Sequence, residues 1–259
     1  VARRARILEL LRQERTVRSE DAAQALGVSV ETIRRDLEQL DHAGELVRVY
    51  GGAIPVDAAP AAEPPFEARS VLAADSKQAI GRAAAELAEQ VRTLFVDIGT
   101  TAMQVAAALS ASAPITVVTP SMRVAEILTA RSMITAVVPG GVVRGGDLAI
   151  SGSHAVEFMR DVSPDLALLG SGGVSVERGL TDFEMDEVPL KRVALRNSSR
   201  SYVLADSSKI ESVAPYRVCG LDALTGVITD DGISAAHREA LEAAGIDVIV
   251  ADGARRPGA

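Results

Sequence analysis

Tryptophan is absent from this 259-residue chain, cysteine occurs once, and aromatic residues make up only 3%. The single thiol, Cys219, excludes an internal disulfide framework and any zinc site built from several cysteines. Its plainest role is that of a small hydrophobe beside a strand. With so few rings, the core must rest on Ala, Val, Leu and Ile. No apolar run approaches the roughly 18 residues a membrane helix needs, because Arg, Asp or Glu interrupts every apolar stretch. The basic start Val1-Ala2-Arg3-Arg4 leads into an amphipathic helix and not into the apolar core of a signal peptide. A cytoplasmic location with no membrane partner is therefore expected.

What is present is an ordinary balance for a packed protein, 47% hydrophobic and 24% charged, with a net charge of −8. The charge is unevenly divided. Residues 1–52 hold nine Arg and nine acids, whereas the remainder holds eighteen Lys and Arg against twenty-six Asp and Glu. All the excess acid thus lies beyond the first fifty residues. A neutral head whose arginines share one face is compatible with DNA binding, even on an acidic body.

The patterning divides the chain into a head at 1–53, a connection at 54–74 and a larger body at 75–253. Ile7, Leu8 and Leu11 mark a first amphipathic helix. Ser19, followed by Glu20 and Asp21, predicts the cap and acidic first turn of a second helix, which ends at Gly27. Ser29 predicts the cap of a third, with Val30, Ile33, Leu37 and Leu40 on its buried face and Gly44 after its end. Residues 46–50 before Gly51-Gly52 read as a short hairpin. Four prolines and five alanines without periodicity fill 53–65, as a linker does. Asp75-Ser76-Lys77-Gln78 then has the spacing of a capping box. Strands are expected at 94–98, 115–119, 134–138, 166–169, 202–205, 227–229 and 246–250. Helical patterns lie between most of them, near 101–110, 121–130, 153–160, 186–199 and 234–243. This alternation predicts an α/β fold, a mostly parallel sheet covered by helices on both faces.

Two short helices separated by about three residues with Gly at the turn are the mark of a helix-turn-helix. Periodicity turns Glu31 and Arg35 of the third helix away from the core, with Thr32 close by. A helix entering the major groove by its N-terminal half would present Ser29, Thr32 and Arg35 to bases or phosphates, with Arg34 reaching the backbone. A solvated Glu31–Arg35 pair is the competing explanation of the same face. The run Val28-Ser29-Val30-Glu31-Thr32-Ile33-Arg34-Arg35-Asp36-Leu37, followed by Leu40, Gly44, Leu46, Arg48 and Gly51-Gly52-Ala53, resembles the signature of the DeoR family of transcriptional regulators. That resemblance implies a winged helix-turn-helix on double-stranded operator DNA, with Arg48 on the wing near a phosphate.

Phosphate sites need converging backbone N–H groups, supplied by Gly-rich turns or helix N-termini. Five such turns follow expected strands: Asp97-Ile98-Gly99-Thr100-Thr101, Thr119-Pro120-Ser121, Pro139-Gly140-Gly141, Gly170-Ser171-Gly172-Gly173 and Asp206-Ser207-Ser208-Lys209. Neither a P-loop nor a dinucleotide fingerprint stands at the right place, and no cofactor or metal is expected. The body also resembles the DeoR family over about 66–253, at Arg69, Lys77, 97–101, Gly140-Gly141, Gly152, the strand from Asp165 to Gly170, Gly172, Gly179–Thr181, Glu187, Asp206, Lys209 and Thr229-Asp230. The resemblance implies a fold like that of sugar-phosphate isomerases and CoA transferases, binding a phosphorylated sugar. It implies phosphate contacts from Gly99–Thr101 and Lys77 or Lys209, and sugar-hydroxyl contacts from Asp97, Asp206 and Glu187. Pro120 departs from the family, which has Asn there. The remaining polar turns, at Thr119, Ser121, Gly140, Gly141, Gly172 and Gly173, complete the candidate effector site.

A sugar-phosphate isomerase or transferase with an added head is the rival class, with Glu177 or Glu187 as its carboxylate. No matched acid–base constellation stands out in the sequence, and the head has no purpose in an enzyme. The expectation is a repressor, relieved by a sugar phosphate. Its body would hold two or more copies together so that paired heads match a repeated operator. Of the histidines, His42 and His237 read as solvated, and His154 stands nearer the expected ligand turns.

Overall fold

The computed structural model describes residues 2–14, 17–42, 45–49, 52–54 and 63–253. The chain divides into two compact units, Val1–Pro64 and Pro65–Ala259. Residues 66–71, placed by the sequence in the connection, are instead a helix of the second unit. The Phe66 ring and Arg69 hold it there, through Arg123 and Asp147. The tract 55–62 lies outside the described residues.

The first unit runs α1 (Ala2–Glu14), β1 (Val17–Arg18), α2 (Ser19–Leu26), α3 (Val30–His42), β2 (Val47–Val49) and β3 (Gly52–Ile54). Its strands form a small antiparallel sheet in the order β1-β3-β2. Ile7 and Leu11 of α1, Ala22 and Ala23 of α2, and Ile33, Leu37 and Leu40 of α3 share one core with Val17, Leu46 and Ala53. The helices therefore pack through the stripes their periodicity marks, with Val30 only half-buried at the edge. Gly27 ends α2 in the left-handed region, φ 65°, where a glycine is at ease. Ser19 is not the cap of α2. Pairing of Val17 and Arg18 with β3 brings the helix on directly after the strand, so Arg18 takes the cap position and Ser19 is buried in the first turn. Gly44 and Gly51 lie outside the described residues.

The second unit comprises α4 (Phe66–Val71), α5 (Ala74–Leu87), β4 (Thr93–Val96), α6 (Thr100–Ala108), β5 (Ile115–Val118), α7 (Met122–Thr129), β6 (Ile134–Val137), β7 (Val142–Arg144) and β8 (Ala149–Ser151). It continues through α8 (Ser153–Arg160), β9 (Leu166–Gly170), β10 (Gly173–Ser175), β11 (Gly179–Asp182), α9 (Val188–Asn197), β12 (Arg200–Leu204), β13 (Tyr216–Cys219), β14 (Gly226–Asp230), α10 (Ala235–Ala243) and β15 (Asp247–Ala251). Seven strands form a parallel sheet in the order β15-β14-β12-β9-β4-β5-β6. These are the seven strands the sequence marks. Alternate residues serve opposite faces: Leu166 and Leu168 of β9 pack with α5, α6 and α7, while Ala167 and Leu169 pack with α8, α9 and α10. The hairpin β7–β8 and the antiparallel sheet β10-β11-β13 stand apart from the main sheet.

The sheet order has one point of reversal near its middle. From β4 the chain builds outward through β5 and β6, then returns to the other side of β4 with β9. The strand order reverses between β4 and β9, and in open parallel sheets the crevice beyond the carboxyl ends at such a point is the usual ligand site. Asp97 follows β4 there, and Gly170 closes β9. The capping box expected at Asp75 does not form. Ala73, in the left-handed region at φ 49°, takes the cap position of α5 without a side-chain bond.

Candidate DNA-reading helix and effector site

α3 starts from a side-chain cap. Ser29 Oγ accepts from Thr32 N–H at 3.2 Å and lies 2.8 Å from Thr32 Oγ1. Both hydroxyls are thus engaged at the helix start, with acceptor capacity left over. Glu31, Arg34 and Arg35 project outward. Arg35 is 76% exposed and Arg34 63%. Glu31 pairs with both, at 3.7 Å to Arg34 Nη1 and 3.8 Å to Arg35 Nε. Exposed pairs of this kind are worth about 0–1 kcal/mol, so either arginine can leave for a stronger anion. Asp36, beside them in sequence, faces inward. It is buried and takes a two-pronged ion pair from Arg3 of α1, which pins the reading helix to the first. Arg48 lies in β2, opposite Ala53, and its side chain lies outside what is described.

At the reversal point of the parallel sheet, four ionisable side chains meet in the interior. Lys191 Nζ on α9 is 2.9 Å from Asp97 Oδ2, 2.5 Å from Asp182 Oδ2 and 3.7 Å from Glu187 Oε2. Asp97 also accepts the Gly170 N–H at 2.9 Å, tying the ends of β4 and β9 together. Burial would lower the Lys191 ammonium, but Asp182, Asp97 and Glu187 outweigh it and hold its pKa well above the usual lysine value. Burial pushes the Glu187 carboxyl up to about 8, against the pull of Lys191 and Arg144. Burial also raises Asp97, again against Lys191. At neutral pH Glu187 therefore holds a proton, so it can donate as well as accept. Such a mixed set of donors and acceptors suits the hydroxyl groups of a sugar.

A second group of charges adjoins the first. Arg144 on β7 reaches Glu187, Glu184 at 3.1 Å and Asp147 at 2.9 Å. Asp147 in turn accepts from Arg69 of α4 at 2.7 Å. The Arg69 guanidinium lies beside Gly99, with Nη1 3.8 Å from where a Cβ would stand. Gly99, at φ 104°, caps α6 in a conformation few other residues adopt. The first N–H groups of α6, from Thr100 and Thr101 onward, have no carbonyl of their own helix to bond and carry the positive end of its dipole. Backbone donors and an arginine thus lie together, next to the acid–lysine cluster.

Family comparison identifies both halves. Residues 3–58 match the DeoR-like helix-turn-helix domain and residues 72–231 match the DeoR C terminal sensor domain. The chain belongs to the DeoR family. This DeoR protein is 34% identical to the HTH-type transcriptional regulator GlpR of Haloferax volcanii over 98% of both chains. It is 31% identical to the glycerol-3-phosphate regulon repressor of Escherichia coli K12, covering 86% of this chain and 88% of the relative. Among solved structures, ribose 5-phosphate isomerase A from Methanocaldococcus jannaschii aligns at TM-score 0.38 and 15% identity, over 53% of this chain and 55% of that one. The beta subunit of eIF2B from Chaetomium thermophilum aligns at TM-score 0.42 and 12% identity, over 86% and 60%. The DeoR chain is a DNA-binding transcriptional regulator with a small-molecule sensor domain, and not an enzyme.

The sensor brings together some of the sequence-marked residues and disperses others. Asp97, Gly99, Thr100, Thr101 and Glu187 converge at the reversal point. Lys77 does not join them as a free cation: it is buried, and its Nζ donates to the Arg69 and Leu72 carbonyls at 2.5 and 2.7 Å. Lys209 donates to the Ser171 carbonyl. Thr119 Oγ1 accepts the Ser121 N–H at 3.1 Å, and Ser121 Oγ caps α7 through Val124 N–H at 3.2 Å. Asp206 Oδ1 caps the turn at 207–209 through Ser208. Gly172 donates to Thr181, and a Cβ there would lie 2.9 Å from Ala214 Cβ. At Gly173 the Ser212 carbonyl would be 2.3 Å away, and at Gly141 the Ser151 carbonyl 2.4 Å away. Close packing accounts for these three glycines. Gly140 is exposed. His154 and His237 are exposed as well, and burial pushes the Cys219 thiol up to about 11, where it is unreactive.

Lys191, Asp182, Arg144 and Asp147 are absent from the sequence expectation. One signal did point to Lys191. It stands four residues after Glu187, among Leu190, Val193, Ala194 and Leu195 on the buried side of α9. A lysine within an apolar stripe needs a buried partner. The arginine and aspartate of the β7–β8 hairpin carry no such mark, because exposed hairpins commonly bear charges.

Proposed function

We propose that this DeoR protein is a repressor whose operator grip is controlled by a phosphorylated sugar. The supporting observation is the pairing of two subsites at the sheet's reversal point. An anion-binding turn, Gly99–Thr101 with Arg69, adjoins a buried cluster, Asp97–Asp182–Glu187–Lys191, able to exchange hydrogen bonds with hydroxyl groups. A ligand with a phosphate at one end and hydroxyls along its chain matches both. The glycerol-3-phosphate regulon repressor, 31% identical, carries in its name the phosphate ester of a polyol.

In the reading head, Arg35 and Thr32 face bases in the major groove, while Arg34 and Arg48 meet phosphates and Ser29 caps the helix at the groove edge. The second unit joins two or more copies, so that paired heads meet a repeated operator in the cytoplasm. The effector shifts operator affinity by its difference in affinity between two arrangements, about 1–3 kcal/mol.

The test is binding of the full chain to labelled DNA from upstream of its own gene, with and without triose, pentose and hexose phosphates. Selective, salt-dependent binding that one compound weakens is the expected result. Absence of selective binding at every salt concentration, or tightening by the effector, would remove the repressor reading.

A further inference from the structure

Asp147, at the tip of the β7–β8 hairpin, accepts from two arginines at once. Oδ1 takes Arg69 Nη2 at 2.7 Å and Oδ2 takes Arg144 Nη2 at 2.9 Å. Asp147 and Arg69 are nearly buried, at 13% and 12% exposure. An anion held between two guanidinium groups is the arrangement by which proteins grip phosphate. Here the anion is the protein's own, and Arg69 Nη1 lies 3.8 Å from where a Cβ on Gly99 would stand.

We propose that Asp147 is a resident anion that holds the two arginines until the effector's phosphate displaces it, and that the displacement is passed to α4. The proposal rests on the reading of Gly99–Thr101 as the phosphate turn. A phosphate at that turn and the Asp147 carboxylate would compete for Arg69 as like charges, so the carboxylate must withdraw or share its arginine. Withdrawal moves the hairpin tip.

The tip and α4 are fastened twice. Arg69 of α4 bonds Asp147, and Arg123 lies 4.0 Å over the ring of Phe66 while donating to the Gly146 carbonyl at 2.7 Å. α4 begins directly after the division of the chain at Pro64 and Pro65, so its position bears on the segment leading to the reading head. Both parts end at residues held in the left-handed region. Ala73, at φ 49°, follows α4, and Leu148, at φ 55°, follows Asp147. Non-glycine residues there are strained, and strain at the ends of a segment favours an element with two settings. Arg144 carries the same signal from the hydroxyl subsite, since it also holds Glu187 and Glu184. An internal competitor present in one setting alone supplies the difference in affinity that a switch requires.

Asp147→Asn keeps the size and removes the charge. In the full chain, inorganic phosphate titrated by calorimetry should bind the variant about five- to tenfold more tightly than the wild type. The sugar phosphate that shifts wild-type binding to the upstream DNA should shift the variant by a much smaller factor, because one of the two ties is gone. Asp147→Ser provides the same readout if the asparagine variant melts early. Unchanged phosphate affinity with a normal DNA response would overturn the proposal. Weaker phosphate affinity would also overturn it, by making Asp147 an organiser of the arginines and not their occupant. If the wild type itself responds to no sugar phosphate, the phosphate-turn reading fails first and the relay falls with it.

Discussion

The Nζ atom of Lys191 lies 2.9 Å from Oδ2 of Asp97, joining the buried side of α9 to the carboxyl end of β4. Around this contact three acids share one lysine in the interior. Removing one partner of a buried ion pair leaves charge without compensation, at a cost of about 3–5 kcal/mol. Lys191→Met should lower stability by that order in urea denaturation. The loss should shrink in acid, where the carboxylates take up protons. A variant as stable as the wild type at neutral pH would mean that protons, and not Lys191, neutralise the cluster.

Glu187 sets a pH dependence whose sign can be worked out. Its folded pKa, about 8, lies above its ordinary value of 4.5, chiefly through burial. Between those values the folded state holds a proton that the unfolded state has released. Stability from this group is therefore present at the acid end of the window and declines as pH rises toward 8. Glu187→Gln keeps the donor and cannot ionise. Melting temperatures from pH 5 to pH 8.5 should fall more steeply for the wild type than for the variant, and parallel curves would refute the assignment.

The two arginines of α3 should behave differently on DNA. Arg35→Ala should cost about 1–3 kcal/mol of discrimination at the base it reads. Arg34→Ala should weaken binding to all sequences alike and reduce the salt slope by about 1. Titrations of operator and scrambled DNA over a salt series separate the two outcomes. If Arg35→Ala lowered affinity without lowering selectivity, the reading helix would be docked in another orientation.

Gly81 of α5 packs closely against Gln104 of α6. A Cβ there would lie 2.6 Å from the backbone carbon of Gln104, which cannot swing aside as a side chain can. Gly81→Ala should cost about 1–3 kcal/mol by overpacking. Its higher helix propensity, about 0.8–1.0 kcal/mol, is too small to offset the upper part of that range. Guanidinium denaturation gives the balance, and a stabilised variant would show that the helices slide apart freely.

Much of this DeoR protein was legible before its structure. The seven parallel strands and the helices between them follow from local apolar periodicity, which requires no knowledge of distant residues. The third helix, its Ser29 cap and its outward arginines follow from the same local rules. Expectations failed where backbone geometry or a contact outside the apolar pattern intervened. Ser19 lost the cap position because Val17 and Arg18 pair with β3. The capping box at Asp75 gave way to Ala73. Lys77 was drawn to the end of α4.

The sequence by itself determined the two-part plan, the class of each part and the turns where strands end, because each is written in short-range pattern. Only the tertiary structure decided which of those turns meet. Topology reverses the strand order at β4 and β9, and so sets Asp97 and the Gly99 turn beside the end of β9 at Gly170. It also brings in Lys191, Arg144 and Asp147 from a helix and a hairpin that no local rule connects. Charges separated along the chain acquire a common function only where the fold buries them together, since only there does each need the others.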